Sequence, residues 1–337
     1  MPQQMDVRPI QAVLPTELIY LVMTCLLPES PDVLLPPSDM TTRTLLSFAK
    51  VCRATYALAS KYLRRHCVYL DSGSRLQRFL PALQPGHAPG DGLGLRNLTS
   101  LYLAPFENNT LNDLATALRV RDVFCKVRGT LKRLVIDMPL RSLYPAEDHR
   151  RVRDVLRDGF SLLTGLEELV SVRDELYLDV HEPDWPVKEP PVWTMWPEIR
   201  RLALYNQDIG LEFWHHVASM QKLDSLVLTR ADGLSEVCIK TEFFGRANRP
   251  IKILLVNISS HQPGLTEMPR WNWETADPEG RMHVVMYNVP TSFYGDEDPI
   301  ELCQDWVKSG ALKGLIWHWD GTLLEGAAPA RGSMPAA

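Results

Sequence analysis

One spacing, LxxLxL, constrains this chain more than any other feature. It occurs at Leu98-Leu101-Leu103, Leu131-Leu134-Ile136, Ile199-Leu202-Leu204, Leu223-Leu226-Leu228 and Ile251-Leu254-Val256. Weaker versions stand at Leu166-Leu169, Met282-Val285-Tyr287 and Leu312-Leu315-Trp317. Successive starts are 33, 35, 33, 24, 28, 31 and 30 residues apart. The last two positions of a unit are two residues apart, so in a short strand both point to one face. Between the units lie amphipathic stretches with helical spacing, among them "LNDLATALRVRDVFCKV", "EDHRRVRDVLRDGFSLL", "LEFWHHVASM", "GLSEVCIKTEFF" and "PIELCQDWVK". No such unit can bury its apolar side alone, whereas stacked neighbours make a continuous core. The expected fold is therefore α/β, a solenoid with a parallel sheet. The rival is an ordinary α/β domain whose parallel strands happen to be evenly spaced.

The rest of the composition bounds the function. A chain of 337 residues, 45% hydrophobic and 23% charged, accommodates a small module beside a larger one. A net charge of -5 gives no reason to expect nucleic acid. The six cysteines form no CxxC pair, so neither a zinc site nor a disulfide framework is expected, and reduced thiols suit a cytoplasmic or nuclear protein. "QPGHAPGDGLGLRN" reads as a boundary loop; its glycines lack the GK[ST] and the strand context of a phosphate loop. The sequons at Asn97, Asn108 and Asn257 would matter only in a secreted protein.

Ahead of the repeats stands "LPTELIYLVMTCLLPES", Leu14 to Ser30, in which Leu18 to Leu27 reads as a helix apolar nearly all round. Pro15 suits a first helical turn, Glu17 meets the positive end of the helix dipole, and Pro28 stops the helix. Its ten or so apolar residues fall short of the roughly 20 a membrane span needs, and no small-x-small cleavage site follows. A helix without a polar face expects to be covered. One or two further helices are expected between Thr44 and His66, where Leu45, Phe48, Ala49, Cys52, Tyr56, Ala59 and Leu63 recur at three- and four-residue spacing. From Thr41 to Leu70 there are six Lys or Arg residues and no Asp or Glu, which suits an acidic partner.

Leu14-Pro15-Thr16-Glu17-Leu18, Leu45-Leu46, Val51-Cys52-Arg53 and Leu58-Ala59 together resemble the F-box: LPxEL, LL, VCR and a closing LA. The connection after the first helix is longer than is usual for that family, and Tyr56 stands near where a Trp is often found. The region beyond resembles leucine-rich repeats of the long, irregular kind; the position eight after each first leucine is never Asn or Cys, so no Asn ladder is expected. The resemblance implies a helical module at residues 11–70, a repeat domain at 71–324 that holds a target protein, and a disordered tail at 325–337. It implies a Skp-type adaptor, and through it a cullin, as partners. Leu14, Pro15, Leu18, Ile19, Leu46, Val51, Cys52 and Arg53 would meet the adaptor. Such a chain is a non-catalytic substrate receptor of an SCF-type ubiquitin ligase, needing no cofactor or metal and binding neither membrane nor nucleic acid. A scaffold acting outside ubiquitin ligation and an α/β enzyme are the alternatives.

Two tryptophan-bearing stretches are the candidate target contacts. "HEPDWPVKEPPVWTMWPE" carries Trp185, Trp193 and Trp196 among prolines, and "HQPGLTEMPRWNWETADPEG" carries Trp271 and Trp273. Tryptophan is a common interface anchor, though these rings could equally fold back onto the core. His215-His216 lacks the i, i+4 spacing of a helical ligand pair, and Cys25 and Cys52 read as small core or interface residues.

Overall fold

A computed structural model of the chain describes residues 15–83, 98–181, 186, 189–258, 268–270 and 272–326. A short strand, β1 (Tyr69–Leu70), opens a mostly parallel sheet that continues through β2 (Ser100–Leu103), β3 (Arg133–Ile136), β4 (Glu168–Ser171), β5 (Arg201–Tyr205), β6 (Ser225–Thr229), β7 (Ile251–Asn257), β8 (Met282–Asn288) and β9 (Thr322–Leu323). The spatial order of the nine strands is their order along the chain. All pairings are parallel except the last, in which β9 runs against the edge of β8. The register follows the recurring leucines: Leu101 faces Leu134, Leu134 faces Leu169, Leu169 faces Leu202 and Leu202 faces Leu226.

Parallel neighbours require crossovers, and helices form most of them. In chain order these are α4 (Gly73–Ala82), α5 (Leu114–Val127), α6 (Val152–Ser161), α7 (Leu211–Ser219), α8 (Ile239–Phe244) and α9 (Trp273–Ala276). Local chemistry fixes where several begin. The Asp113 carboxylate accepts the Thr116 N–H at 3.1 Å, and that of Asp148 accepts the N–H groups of Val152 and Arg153 at 2.8 and 2.7 Å. Because the strand order never reverses, these helices share one face of the sheet. There Leu101, Leu134, Leu169, Leu202 and Leu226 meet Phe124, Phe160, Trp214 and Phe243 in one core.

The recurrence holds to β6 and then slips by one residue. In β7 it is Ile253 and Leu255 that pair with Leu226 and Leu228, and in β8 Val284 and Met286 follow them. Leu254, Val256, Val285 and Tyr287, expected on the helix-covered face, therefore point the other way. A one-residue shift reverses every side chain of a strand. Leu312-Leu315-Trp317 is no strand: Leu312 ends a helix and Ile316–His318 forms a 3-10 turn.

The opposite face of the sheet is also covered. Helix α10 (Pro299–Leu312) lies across it, placing Cys303, Val307 and Ala311 against Tyr102, Val135, Val170, Ala203, Val227 and Leu254. Polar contacts fix the C-terminal part of the helix. Lys308 Nζ and the Tyr102 hydroxyl reach Asp137 at 2.7 and 2.9 Å, and Arg173 joins them. Burial alone would raise the Asp137 carboxyl, but the Lys308 ammonium and the Arg173 guanidinium outweigh it and hold it below the usual carboxylate range. One turn further on Arg133, buried, donates to the carbonyls of Ala311 and Asp32 and to Glu168.

Asp32 belongs to the connection between α1 (Thr16–Cys25) and α2 (Met40–Phe48). In sequence only a long connection after the first helix, that segment reaches the sheet. Leu34 is buried in the second core and its N–H donates to the Leu312 carbonyl at 2.7 Å. Gly314 sits at φ +69°, where a Cβ would lie 2.9 Å from that of Asp32, so the chain ends α10 with a close approach only glycine permits. The N-terminal helices, completed by α3 (Arg53–His66), pack around a small core of their own: Met23, Leu45 and Ala59.

Candidate protein-interaction surface

The three N-terminal helices have too little apolar interior for the apolar residues they carry. Met23, Leu45 and Ala59 use the inner faces, and Leu27, Phe48 and Leu63 close around them. The outer faces show Leu18, Leu21 and Val22 on α1, Met40 and Leu46 on α2, Val51 in the turn that follows, and Tyr56 on α3. These seven are nearly half of the fifteen large apolar residues exposed among the described residues, yet they fall within positions 18–56. Leu21 is 59% and Val51 66% exposed. A cluster of this kind marks a surface that something else covers.

The sequence-derived residues divide accordingly. Leu18, Leu46, Val51, Cys52 and Arg53 are exposed on these helices or in the turn between them, and Pro15 is exposed at the start of α1, its carbonyl accepting from the N–H groups of Leu18 and Ile19. Ile19 differs from expectation: it is half-buried against Met23, Leu45 and Ala59 and serves the module's own core. Leu14 lies outside the described residues.

Two polar details sharpen the surface. Cys52 precedes the first turn of α3; its N–H donates to the Thr55 hydroxyl at 3.1 Å, and its Sγ lies 3.4 Å from the same oxygen. Those contacts, led by the Thr55 hydroxyl and joined by free backbone N–H groups of the first turn, hold the exposed thiol below the ordinary cysteine range. Arg53 stands at the positive end of the α3 dipole with no acidic residue in that turn, a placement that costs rather than stabilises the helix. Of the other bases, Arg43 and Lys50 are exposed, whereas Lys61, Arg64 and Arg65 line a cleft beside the sheet.

The tryptophans expected as target anchors are core residues. Trp193 and Trp196 are 1% and 2% exposed, and Trp273 is 2%. The Trp196 indole N–H donates to the Phe160 carbonyl at 2.9 Å, that of Trp273 to the Pro269 carbonyl at 3.1 Å, and Trp193 packs edge-on to Phe213. All three are buried where they stand and present no ring to a partner. Trp185 and Trp271 lie outside the described residues. By contrast, Phe293 and Tyr294 are 96% and 85% exposed, on a turn that Ser292 closes by accepting the Gly295 N–H and donating its own N–H to Glu297. Nothing in the repeat pattern flagged that pair. Nor did it flag Leu34 and Asp32, for which the only signal was an apolar Leu34-Leu35 pair inside a polar connection.

Among the described residues no group of three or more His, Cys, Asp or Glu is placed to hold a metal, and no helix is long and apolar enough to cross a membrane. His215 and His216 do not converge on a site; burial holds the His216 imidazole below its usual range, with Trp193 edge-on to it. No protein-family model matches this chain, and no curated protein matches it at a significant level.

Proposed function

We propose that this chain is the substrate-recognition subunit of an SCF-type cullin ubiquitin ligase, with residues 11–70 as an F-box that docks on a Skp-type adaptor. The observation that carries the proposal is the apolar surface of α1, α2 and the Val51 turn, at the positions of LPxEL, LL and VCR. Covering it returns free energy of a useful size. Six half-exposed side chains at about 1.5–3 kcal/mol each when fully buried give on the order of 5–9 kcal/mol. Association costs about 4–15 kcal/mol, so the patch needs help, and the exposed bases Arg43, Lys50 and Arg53 supply it against an acidic adaptor surface.

The remainder we read as an irregular leucine-rich-repeat-like solenoid. The unreversed strand order and the stacked leucines support this. In such a fold the strand face opposite the helices ordinarily receives the ligand; here α10 occupies it. Target contact is then left to exposed edges and turns, of which the Phe293-Tyr294 turn is the most apolar among the described residues. No bond is made or broken in this scheme; the chain raises the local concentration of a target at the ligase.

The test is co-expression with the adaptor and the cullin. Wild type should recover both, and Leu18→Asp with Val51→Asp should lose them by about 100-fold or more, because two carboxylates are forced into an apolar contact. Met23, Leu45 and Ala59 are untouched, so the double variant should keep its helical circular dichroism. Recovery of adaptor without cullin would identify a scaffold instead. A monodisperse wild type that captures no adaptor would refute the F-box assignment.

A further inference from the structure

A cleft of about 730 Å3 lies where α3 meets the leading ends of the strands. Its sheet side is electrically closed. Glu168 contacts Arg133 at 2.6 Å and Arg201 at 2.7 Å, Asp32 contacts Arg201 at 3.5 Å, and Glu167 contacts Lys132 at 2.9 Å. Three carboxylates are thus matched by three cations. Its helix side carries Lys61, Arg64 and Arg65 and no acid, and none of the three has an ion-pair or hydrogen-bond partner among the described residues. Spacings of three and four residues set Arg64 and Arg65 within about 5–6 Å of Lys61 at Cβ. Thr99 and Ser100 add hydroxyls to the lining.

Helix stability does not account for this cluster. Arg64 and Arg65 in the last turn of α3 gain only modestly from the dipole. Like charges three and four residues apart repel and offset part of that gain, and Lys61 stands before the last turn. The gain is small, in a chain whose net charge is -5, and it gives no reason for the cations to face a cavity.

We propose that this cleft binds a small molecule carrying two or more phosphate groups, held by Lys61, Arg64 and Arg65 with the hydroxyls of Thr99 and Ser100. Arginine forks take phosphate oxygens two at a time, and a lysine adds a mobile point charge. The volume lies within the range of small-molecule sites. The tight spacing of the cations suits neighbouring phosphates on one compact molecule. An extended phosphopeptide would offer successive side chains on opposite faces, about 3.3 Å of rise apart, and only every second one could enter. One wall of the cleft belongs to α3 and the other to the strands, so the ligand would cancel the cationic repulsion and fasten the N-terminal helices to the sheet. Nothing here depends on the adaptor, and failure of adaptor capture would leave it standing.

The experiment is calorimetric titration of the full chain with tripolyphosphate at matched ionic strength, with inorganic phosphate and a doubly phosphorylated peptide as comparators. Three proteins are needed: wild type, Arg64→Gln/Arg65→Gln, and the charge-matched control Arg43→Gln/Lys50→Gln. Saturable binding to wild type, about tenfold tighter than inorganic phosphate, weakened about tenfold in the first variant and unchanged in the second, is expected for charge-assisted contacts. Absence of saturable binding, equal weakening in both variants, or binding of the peptide in preference to tripolyphosphate would each overturn the proposal. Should the Arg64/Arg65 variant fail to fold, wild type alone decides. Tripolyphosphate should protect Lys61, but not Lys50, from acetylation read by mass spectrometry, and equal labelling with and without it would refute the site.

Discussion

At the residue scale, two groups are set apart by their surroundings. The Cys52 thiol, lowered by Thr55 and the open turn of α3, should be alkylated by iodoacetamide ahead of the other exposed cysteines, Cys25 and Cys125. Adaptor binding should mask it, which peptide mapping with and without adaptor would show. Asp174 is the opposite case. It is buried and accepts the N–H groups of Leu140 and Leu176 at 3.1 and 2.8 Å, yet loss of water pushes its carboxyl up to about 7. A folded value above the unfolded one favours the protonated fold. Its contribution is therefore complete below pH 4 and is lost as pH rises toward and through 7. At about 1.4 kcal/mol per pH unit the loss is on the order of 4 kcal/mol. Denaturant melts should show wild type losing ground between pH 4 and 7 relative to Asp174→Asn, which lacks this titration. A pH-independent difference would be evidence that Asp174 is charged throughout.

At the scale of elements, α10 depends on close contact at one glycine. A Cβ on Gly310 would lie 2.2 Å from the Trp319 ring, whereas one on Gly129 meets nothing within 4 Å. Gly310→Ala should cost about 1–3 kcal/mol through displacement of that ring, against near neutrality for Gly129→Ala, both read from chemical denaturation. The same helix explains which strands were legible in the sequence. From β2 to β5 the face under α10 carries polar residues such as Ser100, Arg133, Glu168 and Arg201 between its apolar ones, so the leucine spacing stands out and fixes the register. In β7 and β8, Ile253 and Leu254, like Val284 and Val285, point to opposite cores, and alternation no longer says which face is which. Apolar periodicity located α5 and α6, and their caps at Asp113 and Asp148 emerge only in the structure. The tryptophan stretches misled because an interface anchor and a core residue have the same composition, and burial with the hydrogen bonds of Trp196 to Phe160 and Trp273 to Pro269 tells them apart. Asp32 and Leu34 were invisible because their partners lie more than a hundred residues away.

At the scale of the molecule, the sheet is covered on both faces, but by different means. The helices between strands arrive with the strands they join, each supplied within a few tens of residues. The other cover follows the eight parallel strands it lies on: Ala311 and Leu312 meet Arg133 and Leu34, 178 and 278 residues earlier in the chain. Removal of α10 by a stop after Val289 should leave the apolar row from Tyr102 to Leu254 bare, with strong dye binding and aggregation. A soluble, dye-silent truncated product would show that the row tolerates water. The order of supply has a consequence during synthesis. As the chain leaves the ribosome, its N-terminal helices and most of its sheet are complete while one whole face is still uncovered, and the connection through Asp32 and Leu34 has nothing to grip. Until α10 has emerged that connection cannot be seated, so the arrival of this one helix locks a segment synthesised some 278 residues before it.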